Sequence, residues 1–448
     1  MLIYVPKITN RLGYTLHVVF GSILRMKYEI TTNAELFQQH EGGRLCYNSR
    51  RIDEDSVWIK STDLLFHTTI DTQEPRCFEY EGLCAMFPVY GKNLDFPFDI
   101  LAATFYLVSR YEEYLPHHCD EHGRFLASES IALQQGFLPT PIVERWALTL
   151  AHKIKDRFPI EALPTRGFDM TNTVDIDSAY CYKNKGVFRS ITGFCRDLFD
   201  HRDMEEVRQR FSVLTKRRED PFDTFEYIIG LKDSHPDIHL VFFALLADYG
   251  MNDKNISHYN NDFQQLLKRL SDHAKVGIHA SYASYDEPKR VEIETNRLKG
   301  IIHRNIVRNR SHFLRLRLPF TYRTLIDCNI RHDYTMGYAE EPGFRASIST
   351  PYPFYDLESD SETTLLIHPF AVMDTTLKKY KGLNPDEAWD TVKALMDEVT
   401  AVGGTFSCIF HNQNLSEDFG WEGWRTLYER TLDYGQKIKT ESKSPENH

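Results

Sequence analysis

Thr173-Val174-Asp175-Ile176-Asp177-Ser178 is the stretch on which the reading of this chain turns. A short β-branched run leads into two carboxylates at i and i+2, followed by a small residue. Residues two apart on a strand share a face, so both acids project from one strand end into one cleft. Like charges that close are costly unless a cation or a shared proton compensates them. A solvated strand end is the plain alternative for so short a motif. The polar pattern downstream weighs against it.

From about residue 168 onward the sequence alternates between strand and helix patterns. Strands are expected over 172–176, 239–246, 276–279, 307–314, 332–335, 364–368 and 406–410. Helices are expected over 263–272, 289–302, 322–328 and 386–402, with charged helices between 187 and 233. About seven short strands in such alternation predict a parallel sheet closed, or nearly closed, into a (β/α) barrel. Sites in that architecture lie at the C-terminal strand ends. Asp175, Asp177, His279, Arg310 with His312, His332 with Asp333, and His411 with Asn412 all fall near such ends. A single histidine at a strand end is more often structural. On a barrel the whole set would converge on one mouth.

The part before residue 160 reads as an α/β unit. Strands are expected over 3–5, 16–20, 56–59 and 64–69, and helices over 98–114 and 142–157. Tyr111, Glu112 and Glu113 read as a solvated helix end, and residues 161–167 as a linker. The organisation expected is therefore an N-terminal α/β accessory domain at 1–160, a barrel at 168–436 and a flexible tail at 437–448.

Bulk properties narrow the function. The 448 residues, 42% of them hydrophobic and 13% aromatic, suffice for two or three domains with sizeable cores. A net charge of −11 argues against nucleic acid as the main partner. The eight cysteines are scattered with no CxxC pair, which reads as reduced thiols in a cytoplasmic protein. No run reaches transmembrane length, and the opening Met1-Leu2-Ile3-Tyr4-Val5-Pro6 lacks the pattern of a signal peptide.

One carboxylate and two imidazoles can hold a divalent ion while leaving room for water and substrate. Such an ion lowers the pKa of water and polarises a carbonyl. A second carboxylate can take the proton of that water, and a histidine opposite can protonate the leaving group. The residue set thus suits metal-assisted hydrolysis.

These motifs resemble the polysaccharide deacetylases with a NodB-type homology domain, over residues 171 to 424 and in the family's order. Thr173-Val174-Asp175-Ile176-Asp177 is similar to the first motif, which implies Asp175 as general base and Asp177 as metal ligand. Val276-Gly277-Ile278-His279 is similar to the start of the second, implying a metal-binding His279. Arg310-Ser311-His312 stands at an Arg-x-Pro motif whose arginine orients the base. Ser407-Cys408-Ile409-Phe410-His411 resembles the last motif, implying His411 as general acid. Gly277-Ile278-His279-Ala280-Ser281-Tyr282, Arg310-Ser311-His312-Phe313-Leu314, Asp333-Tyr334-Thr335-Met336-Gly337-Tyr338 and Gly343-Phe344-Arg345 resemble a divergent branch that pairs this barrel with an N-terminal domain of unknown role.

The resemblance implies a NodB-like distorted (β/α) barrel, a divalent metal (zinc before others) and a carbohydrate or glycan-precursor substrate. The reaction implied is hydrolysis of a carbon–nitrogen bond other than a peptide bond, removing an acyl and foremost an N-acetyl group. One departure matters. The second motif's further histidine, expected four residues after His279, is Ala283, and a methyl group ligates nothing. Three readings stand open: His312 takes its place as third ligand; the ion rests on Asp177, His279 and waters; or no metal binds and the barrel is a saccharide-binding or assembly protein. A histidine gained near a histidine lost is the economical answer. A buried histidine bonded to a strand is the plainer one. Arg345, Asp333 and Tyr282 are candidates for substrate binding, the arginine by presenting its fork to a carboxylate or phosphate. Asp374, closing another strand, reads as structural.

Overall fold

The computed structural model describes residues 1–159, 166–184 and 204–443. Residues 161–165 of the linker expected at 161–167, and the first of the charged helices expected after 187, lie outside them.

The N-terminal part is built on β1 (Leu2–Tyr4), β2 (Glu29–Thr31), β3 (Arg44–Asn48) and β4 (Val57–Lys60), all parallel, in the order β2-β1-β3-β4. A hairpin, β5 (Phe78–Tyr80) and β6 (Leu83–Ala85), follows. The helix Ile100–Val108 is buried at every position, as a sequence apolar at all but Thr104 requires. Asp99 caps it by accepting the Ala102 N–H and also takes the Tyr47 hydroxyl.

Two expected strands here are replaced. Residues 16–20 continue a helix, Asn10–Leu16, into a π-helical turn, His17–Ile23. A short apolar run does not distinguish strand from buried helix by periodicity; Thr9, accepting the Leu12 N–H, starts a helix seven residues earlier. Residues 64–66 form a 3₁₀ turn.

The second part carries β7 (Asp169–Ile176), β8 (His239–Ala244), β9 (Lys275–Ala280), β10 (Arg308–Ser311), β11 (His332–Asp333), β12 (Tyr352–Asp356), β13 (Ser361–Ile367), β14 (Val372–Met373) and β15 (Thr405–His411). They form one sheet in the order β12-β13-β11-β10-β9-β8-β7-β15-β14, parallel throughout except for β12 against β13. No ladder joins β14 to β12 among the described residues. The fold is thus mixed α/β around a parallel sheet, and barrel closure is not seen in the ladder. Helices Lys289–Ile302 and Ile142–Arg157 stand where their amphipathic patterns place them.

The helix Trp424–Lys443 runs through residues 437–443, which composition had assigned to a flexible tail. Its apolar stripe explains the correction: Leu427, Leu432 and Ile438 are buried, and Tyr434 packs edge-on against Trp389. No helix among the described residues is long and apolar enough to cross a membrane.

The two parts share one continuous core. Buried Glu144 accepts the backbone N–H groups of Ser349 and Thr350. Arg345 binds Glu113 through Nε and Nη2 at 2.9 and 2.7 Å. Glu112 and Glu113 are therefore buried in ion pairs with Arg110 and Arg345, not a solvated helix end.

Candidate metal centre

Thr173 and Asp175 alternate along β7 onto one face, and Arg310 on β10 clamps both. Its Nη1 donates to Asp175 Oδ1 at 3.1 Å and its Nη2 to Thr173 Oγ1 at 2.8 Å. Its Nε donates to the Tyr334 carbonyl, and the guanidinium lies 4.8 Å over the ring of Phe243. That ring occupies the space a Cβ at Gly277 would fill, 2.7 Å away. Arg310 is fully buried. Burial disfavours its charge, and the facing Asp175 only partly restores it.

Asp177 follows the strand end, and three imidazoles turn toward it. His279 Nε2 is 3.4 Å and His312 Nε2 3.7 Å from Asp177 Oδ1, while His411 Nε2 is 3.9 Å from Oδ2. Each imidazole is held at its other nitrogen. His279 Nδ1 meets the Arg310 carbonyl at 2.9 Å, His312 Nδ1 meets Asp253 Oδ1 at 2.9 Å, and His411 Nδ1 meets Asp374 Oδ1 at 2.8 Å. Such bonds fix the tautomer and aim Nε2. Burial raises the Asp177 carboxyl, but the facing His312, His411 and His279 outweigh it and hold it far below the usual range. Burial lowers the His411 imidazole, yet Asp374, Asp177 and Asp175 push it up to about 10. His279 is likewise raised, against burial, by Asp175 and Asp177.

Asp177, His279 and His312 each offer one ligand atom, all within 4.8 Å of one another. Asp177 Oδ1 is buried and has no hydrogen-bond partner. A buried carboxylate oxygen without a donor is costly, and a cation satisfies it. A carboxylate with two imidazoles is also a donor set suited to a divalent transition metal. The residues fit the ion.

Asp175, Asp177, His279, His312 and His411 line a cavity of about 300 Å³. Its apolar lining is Phe313, Leu314, Ala339 and Met373, and its polar lining includes Arg124, Lys379, Tyr380 and Gln413. Arg345 and Asp333 lie elsewhere. Arg345 is 1% exposed and bound to Glu113 and the Gly337 carbonyl. Asp333 is fully buried, accepting from Asn309 Nδ2 and from the Thr335 N–H and hydroxyl. Both candidates for substrate contact are corrected: their charges are spent inside the core. Tyr282 stands behind the cavity wall, its ring edge-on to Phe313 and 4.0 Å under Arg315.

Two carboxylates are parts of the centre that the sequence reading left out. Asp253, in the loop after β8, holds His312 while accepting the backbone N–H groups of Tyr282 and Ala283. Its neighbours Asn252 and Lys254 give no periodic signal. Asp374, read as structural, accepts the His411 backbone N–H, its Nδ1–H and the Asn414 amide. Its place just after β14, beside the strand ending in His411, was the available hint.

Residues 1–159 match a family model described as a family of unknown function, DUF7033. No curated protein matches the chain. Among solved structures, a putative polysaccharide deacetylase from Mycobacterium smegmatis is 13% identical with a TM-score of 0.39, covering 64% of this chain and 95% of its own. Puue allantoinase is 13% identical with a TM-score of 0.40, covering 61% of this chain and 86% of its own. A polysaccharide deacetylase from Bacillus cereus is 10% identical with a TM-score of 0.30, covering 63% of this chain and 95% of its own. Likeness at these levels assigns neither substrate nor activity to this chain.

Proposed function

We propose that this chain is a metal-dependent hydrolase that removes an acyl group, foremost N-acetyl, from a sugar or glycan precursor. On this reading the parallel sheet is an incompletely closed barrel of the NodB type, with β12 at one edge and β14 at the other. The observation that carries the reading is Asp177 Oδ1, buried without a donor and faced by two imidazole Nε2 atoms whose Nδ1 positions are already engaged. Asp177, His279 and His312 are the residues that would hold the ion, with His312 supplying what Ala283 cannot. A divalent cation there supplies Lewis acidity toward a carbonyl oxygen and toward water.

The chain's own residues supply the rest. Asp175 accepts the proton of the attacking water, and Arg310 keeps its carboxylate turned to the cavity. Asp374, facing Nδ1, favours the charged form of His411, whose Nε2–H is the proton given to the departing amine. Asp374 keeps that imidazole oriented. The apolar side formed by Leu314, Ala339 and Met373 shields the reacting carbonyl from bulk water.

The test is acetate release. The 448-residue chain with zinc, incubated with N-acetylglucosamine oligomers and O-acetylated sugars, releases acetate detectable by proton NMR. Asp175→Asn abolishes the release while its zinc content stays at the wild-type level. Absence of release from every sugar with zinc bound overturns catalysis and leaves a saccharide-binding protein.

A further inference from the structure

The role of the N-terminal half at the cavity is set by one hairpin. Asp120 Oδ1 accepts the N–H groups of His122 and Arg124, which closes a tight turn, and Cys119 pairs with Phe125 across it. The turn docks on the loops that follow β9 and β10. Arg315 Nε donates to the His122 carbonyl at 2.7 Å, Tyr285 Oη donates to the Gly123 carbonyl at 3.1 Å, and the His122 ring packs 5.0 Å from Phe313. Arg124 thereby reaches the cavity wall, only 8% exposed. Its Nε donates to Asp120, its Nη1 to the Phe313 carbonyl and its Nη2 to Tyr380 Oη. Three of the five guanidinium N–H groups are thus used, and the others have no acceptor among the described residues.

Lys379, next in sequence to the Tyr380 that Arg124 bonds, also lines the cavity. It is exposed and, among the described residues, has no carboxylate partner; its ammonium lies 6.0 Å from the Trp421 ring. The acids of the cavity are committed elsewhere, Asp175 to Arg310 and Asp177 to the imidazoles. Two cationic groups therefore line the cavity with donors to spare, and Asp120 neutralises only one of them.

We propose that Arg124 and Lys379 form an anion subsite, so that the acylated sugar this protein takes carries a carboxylate or a phosphate. The inference rests on the sugar-hydrolase reading above. It gives the N-terminal half a task, namely supplying one half of substrate recognition to a centre built by the other. Guanidinium and ammonium groups both suit such an anion, the planar fork adding directionality.

Titration calorimetry of the full chain tests it with N-acetylglucosamine, N-acetylmuramic acid and N-acetylglucosamine 6-phosphate as probes, with and without zinc. The expected result is that one acidic sugar binds about tenfold more tightly than the neutral one, a single favourable charge contact being worth roughly that factor. Which acid it is separates carboxylate from phosphate. The preference persists without zinc, which excludes direct binding to the ion, and falls below about threefold in Lys379→Gln and in Arg124→Gln. Lys379→Gln is the deciding variant if loss of the Arg124 contacts impairs folding. Equal binding of neutral and acidic sugars, or an acid preference untouched by Lys379→Gln, overturns the subsite alone. Failure of all three sugars to bind overturns the sugar-hydrolase reading and this inference with it.

Discussion

Asp253 Oδ1 stands 2.9 Å from His312 Nδ1, and the same carboxylate accepts the N–H groups of Tyr282 and Ala283. The segment that carries Ala283 thus orients the acid that aims a histidine just past the next strand. Asp253→Asn replaces a charge-assisted acceptor with an amide and frees the imidazole to choose its tautomer. We expect zinc affinity to fall by about 10- to 100-fold, as partner losses of this kind do. Competition titration against a chelating dye measures it, and an unchanged affinity removes Asp253 from the centre.

Arg310 and Asp175 are both buried, at 0% and 2% exposure. Removing one partner of a buried pair leaves the other charge uncompensated, at a cost on the order of 3–5 kcal/mol. Arg310→Met is expected to lower unfolding stability in urea by that amount and to eliminate acetate release. A loss below about 1 kcal/mol, the range of an exposed pair, contradicts the clamp.

Burial alone raises Glu113, but Arg345 and Arg110 outweigh it and bring its carboxyl from the usual 4.5 down to about 2. Because the folded value lies below the unfolded one, the contribution is complete above pH 4.5 and is lost as the pH falls from there toward about 2. Its size is on the order of 3 kcal/mol. Stability measured across this window in the wild type and in Glu113→Gln should show a shallower acid limb in the variant. Parallel curves would mean that the pair between the two halves adds nothing there.

Gly277 is required by packing. A Cβ there meets Phe243 Cε1 at 2.7 Å and the Arg308 carbonyl at 2.8 Å. Gly277→Ala displaces the ring that lies under Arg310, with an expected destabilisation of about 1–3 kcal/mol. Thermal unfolding reads it, and a melting temperature within error of wild type refutes the requirement.

Much of the centre was legible because its parts sit at the ends of parallel strands, where local pattern and chemistry coincide. Asp175, Asp177, His279, His312 and His411 line one cavity. What local pattern does not encode is which distant charge meets which. Arg345 and Glu113 are 232 residues apart in sequence, so nothing near either one signals that the arginine is spent in the core. Asp253 lies in an irregular loop whose partner is 59 residues away. The helix over Asn10–Leu16 was missed for another reason: its apolar run is too short to show a period, and the cap at Thr9 is the only local sign.

The most direct test of the central claim is the zinc content and affinity of purified full-length protein, by mass spectrometry of bound metal and by calorimetry. One zinc per chain is expected in the wild type. His312→Ala is expected to lose at least about tenfold in affinity, no less than the effect of losing a mere supporting group, and Asp177→Ala to abolish binding. Zinc absent from the wild type, or bound with the same affinity after His312→Ala, would contradict the assignment of this centre.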